Sequence, residues 1–248
     1  MGSHFDQFEI VRLIPLHLFG NFDLSFTNST LFMLFAVSFF YFLYLTNIKN
    51  SLIIPGRWQS VIELVYETIH STVKDNVGTD GTKFFAFILT LFIFISTMNL
   101  FGLIPYTFSP TSHFAVTFGL SLSIFIAVLI IGIAKHKLNY VSMFMPAGAP
   151  LGLGPFLVLI EFISHFAKAL SLGLRLAANI TAGHLLFTIL SVFTWNFLTA
   201  GGLITIGALL PFSIGLFITI LEIAVAVIQA YVFCLLTIIY LGESIHLH

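Results

Sequence analysis

Charge is what this chain most lacks. Only 8% of its 248 residues are Asp, Glu, Lys or Arg, whereas 58% are hydrophobic. Its mean hydropathy is +1.08. A soluble domain carries about 25% charged residues, so a water-facing surface on this chain would go largely unsolvated. The net charge of −1 leaves no basic footprint for nucleic acid. The single cysteine, Cys234, lies inside an apolar run, which excludes a disulfide within the chain. No G-x-x-x-x-G-K-[ST] loop is present to cradle a phosphate, so ATP chemistry is not expected here. Residues 1–15 lack the basic start and apolar stretch of a secretory signal. There is no internal repeat, and nothing suggests a soluble domain, a cofactor or a metal site.

Long apolar runs are what the chain does have. Runs of roughly 20 apolar residues are what a bilayer core requires. The expected fold is therefore an all-α polytopic membrane protein, a single membrane domain over residues 1–248. The first spanning helix is expected over 28–48, before the break at Pro55-Gly56. Residues 84–106 and 113–134 should form an antiparallel hairpin, because Pro105 and Pro110 leave only a short link. Lys135 to Pro155 is rich in Pro and Gly and reads as an irregular loop. Two long stretches follow, over 156–198 and 203–241. At 1.5 Å per residue, about 43 residues of helix span roughly 65 Å, against a hydrocarbon core of about 30 Å. Either the first breaks near Gly173 or both are strongly tilted in a hairpin; Pro211 and Gly215 are candidate kinks in the second. That makes about five membrane helices.

Residues 57–77 differ in kind. Trp58, Val61, Ile62, Val65, Tyr66, Ile69 and Val73 recur at helical spacing. Glu63, Glu67, His70 and Lys74 take the other face. Such a helix should lie in the membrane interface. Lys49, Arg57, Lys74, Lys83, Lys135 and Lys137 all fall in alternate loops, leaving Arg12 alone on the other side. Basic loops face the cytoplasm-like side, so the N-terminus is expected outside and the C-terminus inside.

Ionisable groups at bilayer depth cost about 2.5 to 3.5 kcal/mol each on insertion scales, so each needs a reason. The two long stretches hold Glu161, His165, Lys168, Arg175, His184 and Glu222, with Asn179 and Gln229 beside them. Glu161, Lys168 and Arg175 are seven apart, close to two helical turns, and share a face with Ser164, Ser171 and Asn179. Glu222 and Gln229 form a matching stripe. A guanidinium stays protonated at any physiological pH. It cannot relay a proton, but it can block one between two wet cavities and attract a carboxylate. An arginine held by Glu161 purely for packing is the plainer alternative. Glu161, His184 and Glu222 can exchange protons where water reaches them; His165, Lys168 and Ser171 are weaker candidates, and Lys168 can snorkel.

The run Ser171-Leu172-Gly173-Leu174-Arg175-Leu176-Ala177-Ala178-Asn179-Ile180-Thr181-Ala182-Gly183-His184 resembles the signature of subunit a of the F-type ATP synthase. So does Leu221-Glu222-Ile223-Ala224-Val225-Ala226-Val227-Ile228-Gln229-Ala230-Tyr231-Val232-Phe233. Asp6-Gln7-Phe8-Glu9, Ile104-Pro105-Tyr106, Pro146-Ala147-Gly148 and Leu247-His248 add support, so the resemblance covers nearly the whole chain. It implies a stator subunit of the Fo sector, whose long helices wrap a rotating ring of c subunits. Protons enter one half-channel, load a c-subunit carboxylate, ride the ring and leave by a second half-channel. Arg175 would separate the two. Glu222 and His184 would line the inlet, Asn179 and Gln229 would lie near the arginine, and Glu161 would face the outlet. Implied partners are the c-ring, other Fo stator and peripheral-stalk subunits, membrane lipids and protons. Bacterial members typically have Glu at the position of His184 and His at that of Glu222. The order here resembles mitochondrial members, which implies the inner mitochondrial membrane, the N-terminus in the intermembrane space and the C-terminus in the matrix. Ala177-Ala178 departs from the usual pattern, and a packing change is expected there.

Other classes fit less well. A proton-coupled secondary transporter usually shows repeated halves. A haem carrier needs facing histidines, whereas His165 and His184 lie on one stretch. In an intramembrane hydrolase a nucleophile and base must meet, but adjacent Ser164 and His165 point apart.

Overall fold

The computed structural model describes residues 9–15, 17–18, 22–23, 25–49, 55–104, 107–137, 140 and 154–245. Most of the expected loop at 135–155 and the terminal Leu247-His248 lie outside the described residues, as do Asp6-Gln7-Phe8 and Pro105-Tyr106. Among the described residues there are six α-helices: α1 (Asn28–Lys49), α2 (Arg57–Val77), α3 (Phe85–Gly102), α4 (Phe114–His136), α5 (Gly154–Ala200) and α6 (Leu209–Ile245). The chain is an all-α polytopic membrane protein. Four helical stretches are long and apolar enough to cross a bilayer: Gly81–Gly102, Phe114–His136, Phe156–Ala200 and Thr205–Ile245. Helix α1 has 22 residues, roughly 33 Å, and its described apolar stretch is Asn28–Phe42.

Two short antiparallel pairs precede α1, which the sequence reading did not foresee. Arg12–Ile14 pairs with Phe26–Thr27, and His17–Leu18 with Phe22–Asp23. Helix α5 is unbroken over 47 residues, so Gly173 does not interrupt it. A Cβ there would lie 2.6 Å from Ser121 Oγ and 2.9 Å from the Thr117 carbonyl oxygen. Gly173 is therefore small because α4 approaches closely, a usual device between membrane helices. Pro211 is the third residue of α6. Its missing N–H belongs to a first turn that has no intrahelical acceptor in any case. A 3-10 segment, Gly202–Ala208, leads into it after Gly201, whose φ is 70°.

Hydroxyls inside the apolar helices are mostly satisfied within their own helix. Thr188 donates to the His184 carbonyl oxygen, Thr219 to that of Gly215 and Thr237 to that of Phe233. In hydrocarbon an unmet hydroxyl is costly, and this back-bonding supplies the partner.

The chain divides into two compact units. The first comprises Met1–Tyr41, Phe94–Phe114 and Leu176–Ala230. In it Phe101 makes edge contacts with Phe35 and Phe39. Asn99, fully buried, donates from Nδ2 to the Ala226 carbonyl oxygen at 3.2 Å. The second comprises Phe42–Ile93, Ala115–Arg175 and Tyr231–His248. There α2 buries Ile69, Thr72, Val73 and Val77, while Trp58, Val61 and Tyr66 stay exposed. His70 departs from the expected polar face. It stacks on Tyr66 and meets Phe85 edge-on.

Candidate functional site

In the first unit, the later part of α5 runs antiparallel to the early part of α6. Asn179 Nδ2 donates to Gln229 Oε1 at 3.2 Å. Gln229 is only 5% exposed, and among the described residues its Nε2 finds no acceptor. About one turn further along α5, Gly183 lies against the carboxyl of Glu222. His184 and Glu222 line one pocket of about 690 Å³, together with Thr107, Thr188, Ser191 and Thr219. Two groups that can exchange protons thus face one cavity with four hydroxyls. Between the α5–α6 turn and this pocket lies an apolar groove of about 420 Å³, which shares Thr219 and Ser191 with it.

The second unit holds a separate cluster. His165 Nε2 lies 3.3 Å from Glu243 Oε2, and its Nδ1 lies 3.4 Å from Glu161 Oε1. Nδ1 is also 3.2 Å from the Glu161 carbonyl oxygen. An imidazolium could donate to both sides at once. The carboxylates keep access to the surroundings: Glu161 and Glu243 side chains are 44% and 38% exposed, and His165 is 15% exposed. The Tyr240 ring lies 6.4 Å from that of His165, and Arg175 is within electrostatic reach of Tyr240. Arg175, Lys168 and Ser171 are all exposed on α5.

The predicted residues therefore fall into two groups. His184, Glu222, Asn179 and Gln229 meet in the first unit; Glu161, His165 and Arg175 belong to the second. The pairing of Arg175 with Glu161 is not found. Fourteen residues along one unbroken helix is about 21 Å, beyond the joint reach of the two side chains. Among the described residues no group of three or more His, Cys, Asp or Glu could hold a metal ion.

Glu243 was not anticipated. It continues the spacing of seven from Glu222 through Gln229, three steps on, but a helix ended at Leu241 leaves it out. Helix α6 runs to Ile245 and carries it. Thr107, Thr188, Ser191 and Thr219 were also missed; an isolated hydroxyl in an apolar run carries no signal of its own.

Residues 28–242 match the family described as ATP synthase A chain. The chain is 50% identical to ATP synthase subunit a of Metridium senile, over 100% of this chain and 99% of that one. It is 49% identical to ATP synthase subunit a-2 of Arabidopsis thaliana, over 99% of this chain and 72% of that one. With ATP synthase subunit a of Rhodospirillum rubrum the identity is 43% over the full length of both.

Proposed function

The chain belongs to the ATP synthase A chain family, and on that premise we propose that it carries protons through two half-channels, held apart by Arg175, to the carboxylates of a rotating c-ring. It is a multi-pass component of the ATP synthase, and proton transport in the Fo sector is its task. ATP is made on partner subunits. Glu222 and His184 form the inlet group. Asn179 and Gln229 pair beside them. Glu161 forms the outlet group, joined in this reading by His165 and Glu243. Lys168 and Ser171 share the exposed face of α5 with Arg175 and would face the ring.

One observation carries the reading: His184 and Glu222 open onto the same pocket as four hydroxyls. Each of these hydroxyls donates to a backbone carbonyl and keeps its oxygen as an acceptor for water, so together they can hold a file of water that moves protons to and from the carboxyl. The exposure of Arg175 supports the barrier role, because a fixed cation must face whatever it controls. Its charge would attract a passing c-subunit carboxylate and favour the ionised form. A membrane potential supplies about 2.3 kcal/mol per charge per 100 mV, and any leak past the arginine would waste it.

Length supports tilted helices. Helix α5 has 47 residues, about 70 Å, more than twice the hydrocarbon thickness. We place all of residues 1–248 in one membrane domain, with α2 at the interface. The basic residues of alternate loops favour an outside N-terminus and an inside C-terminus; in the inner mitochondrial membrane, which the resemblance to mitochondrial members implies, these sides are the intermembrane space and the matrix. Peripheral-stalk subunits and lipids complete the surroundings.

The test is Glu222→Gln, which keeps shape and removes proton exchange. In the reconstituted complex, ATP synthesis driven by an acid–base transition should fall by more than about 100-fold, with assembly intact. Normal synthesis would remove Glu222 from the proton path and sink the reading.

A further inference from the structure

Gly183 sits mid-helix in α5, where glycine is a poor helix former. No left-handed backbone angle explains it, since among the described residues the positive-φ glycines are Gly78, Gly201 and Gly202. What explains it is the side chain opposite. A Cβ at position 183 would fall on Glu222 Oε1, 2.5 Å from its carboxyl carbon and 3.2 Å from its Cγ. Real Cβ atoms essentially never approach this closely. The carboxyl of Glu222 therefore lies in a notch made by the missing side chain, directly against the α5 backbone. The next residue, His184, lines the same pocket as Glu222.

We propose that Gly183 is a positioning residue for proton transfer: its missing side chain fixes where the Glu222 carboxyl presents its proton to the pocket. This rests on the reading of Glu222 as the inlet carboxylate. The notch does two things. It lets a full-length glutamate fit between two closely packed helices, and it holds the carboxyl beside His184 and the pocket hydroxyls. A methyl group at 183 would push the carboxyl out of the notch or push the helices apart. Either displaces the proton donor, and a misplacement of about 1 Å can cost about 100-fold in rate.

The experiment is a double-mutant cycle in the reconstituted complex. Gly183→Ala should cut proton-driven ATP synthesis by about tenfold or more. Gly119→Ala serves as the control, because a Cβ there meets nothing within 4 Å; it should leave synthesis unchanged. Glu222→Asp withdraws the carboxyl by one methylene. Added to Glu222→Asp, the Gly183→Ala change should cost less than about threefold. Where Glu222→Asp alone halts synthesis, the cycle is read on the thermal midpoint of the complex: Gly183→Ala should lower it with Glu at 222 and leave it unchanged with Asp. Should Gly183→Ala prevent assembly, recovery of assembly in the double variant supports the proposal, and failure to recover overturns it. An equal loss in both backgrounds, or wild-type behaviour of Gly183→Ala, also overturns it. If Glu222→Gln is inactive while Gly183→Ala is normal, only the positioning role is lost; if Glu222→Gln is normal, the inlet reading falls with it.

Discussion

Replacing Arg175 with alanine separates a barrier from a packing role, because the two predict opposite effects on stability. Arg175 lies on the exposed side of α5, about 21 Å along the helix from the glutamate that could have paired with it. A charged group set at bilayer depth costs about 2.5 to 3.5 kcal/mol on insertion scales. Removing an inward salt bridge would destabilise the chain by about 3 to 5 kcal/mol. Removing a cation that only faces a partner relieves part of its insertion cost. Arg175→Ala should therefore leave the thermal midpoint of the complex unchanged or raise it slightly. Function should respond in the other direction. Each 100 mV biases a proton by about 2.3 kcal/mol, roughly a 50-fold driving ratio, so an unguarded path between half-channels leaks strongly. Reconstituted Arg175→Ala complex should lose coupled ATP synthesis by more than about 100-fold, with increased dye-reported proton leak at imposed potential. Arg175→Lys keeps the charge and loses the planar fork, so it should block the leak yet synthesise slowly. Normal coupled synthesis in Arg175→Ala would refute the barrier. A fall in thermal stability with no change in leak would instead make Arg175 a packing residue.

Two further outcomes follow from groups outside the proton path. Asn99→Leu removes the buried amide that donates to the Ala226 carbonyl oxygen at 3.2 Å; a net cost of about 0.5 to 1.5 kcal/mol is expected, read as a lower midpoint in denaturant or heat, and an unchanged midpoint would show that the contact contributes nothing. His113 stacks on Phe108, and burial holds its pKa below the ordinary 6.5. The folded chain thus binds this proton later than the unfolded chain does, so its stabilising effect is full above pH 6.5 and declines as pH falls below that. Between about pH 7.5 and about pH 5 the wild-type midpoint should therefore fall further than that of His113→Phe, and parallel curves would exclude the histidine as the cause.

How far the sequence could be read depended on whether a residue's role lies in its own helix or in the helix opposite. Apolar length and scarcity of charge are properties of a segment alone, so the long helices and the membrane class were legible. Arg175, Glu222 and His184 draw attention for a similar reason, because charge inside an apolar run is conspicuous wherever its partner sits. Gly173 illustrates the failure. Read along the chain, it offers a break as one of two ways to fit an over-long helix, strong tilt being the other; read across to Ser121 and Thr117, it is a contact point in an unbroken helix. Gly183 is the same residue type with a different meaning, set by the Glu222 carboxyl opposite. Periodicity places His70 on a charged face, yet Phe85, beyond the end of that helix, draws it into an aromatic cluster. Glu243 shows a subtler limit. Its spacing from Glu222 and Gln229 is visible in the sequence, but a helix ended at Leu241 leaves it out, and only the folded chain brings it within 3.3 Å of His165, 78 residues earlier. Small residues and charges near helix ends therefore carry information that becomes chemical only when the neighbouring helix is present. His165 and Glu161 are four apart on α5, but that the other ring nitrogen of His165 faces Glu243 is visible only with α6 beside it.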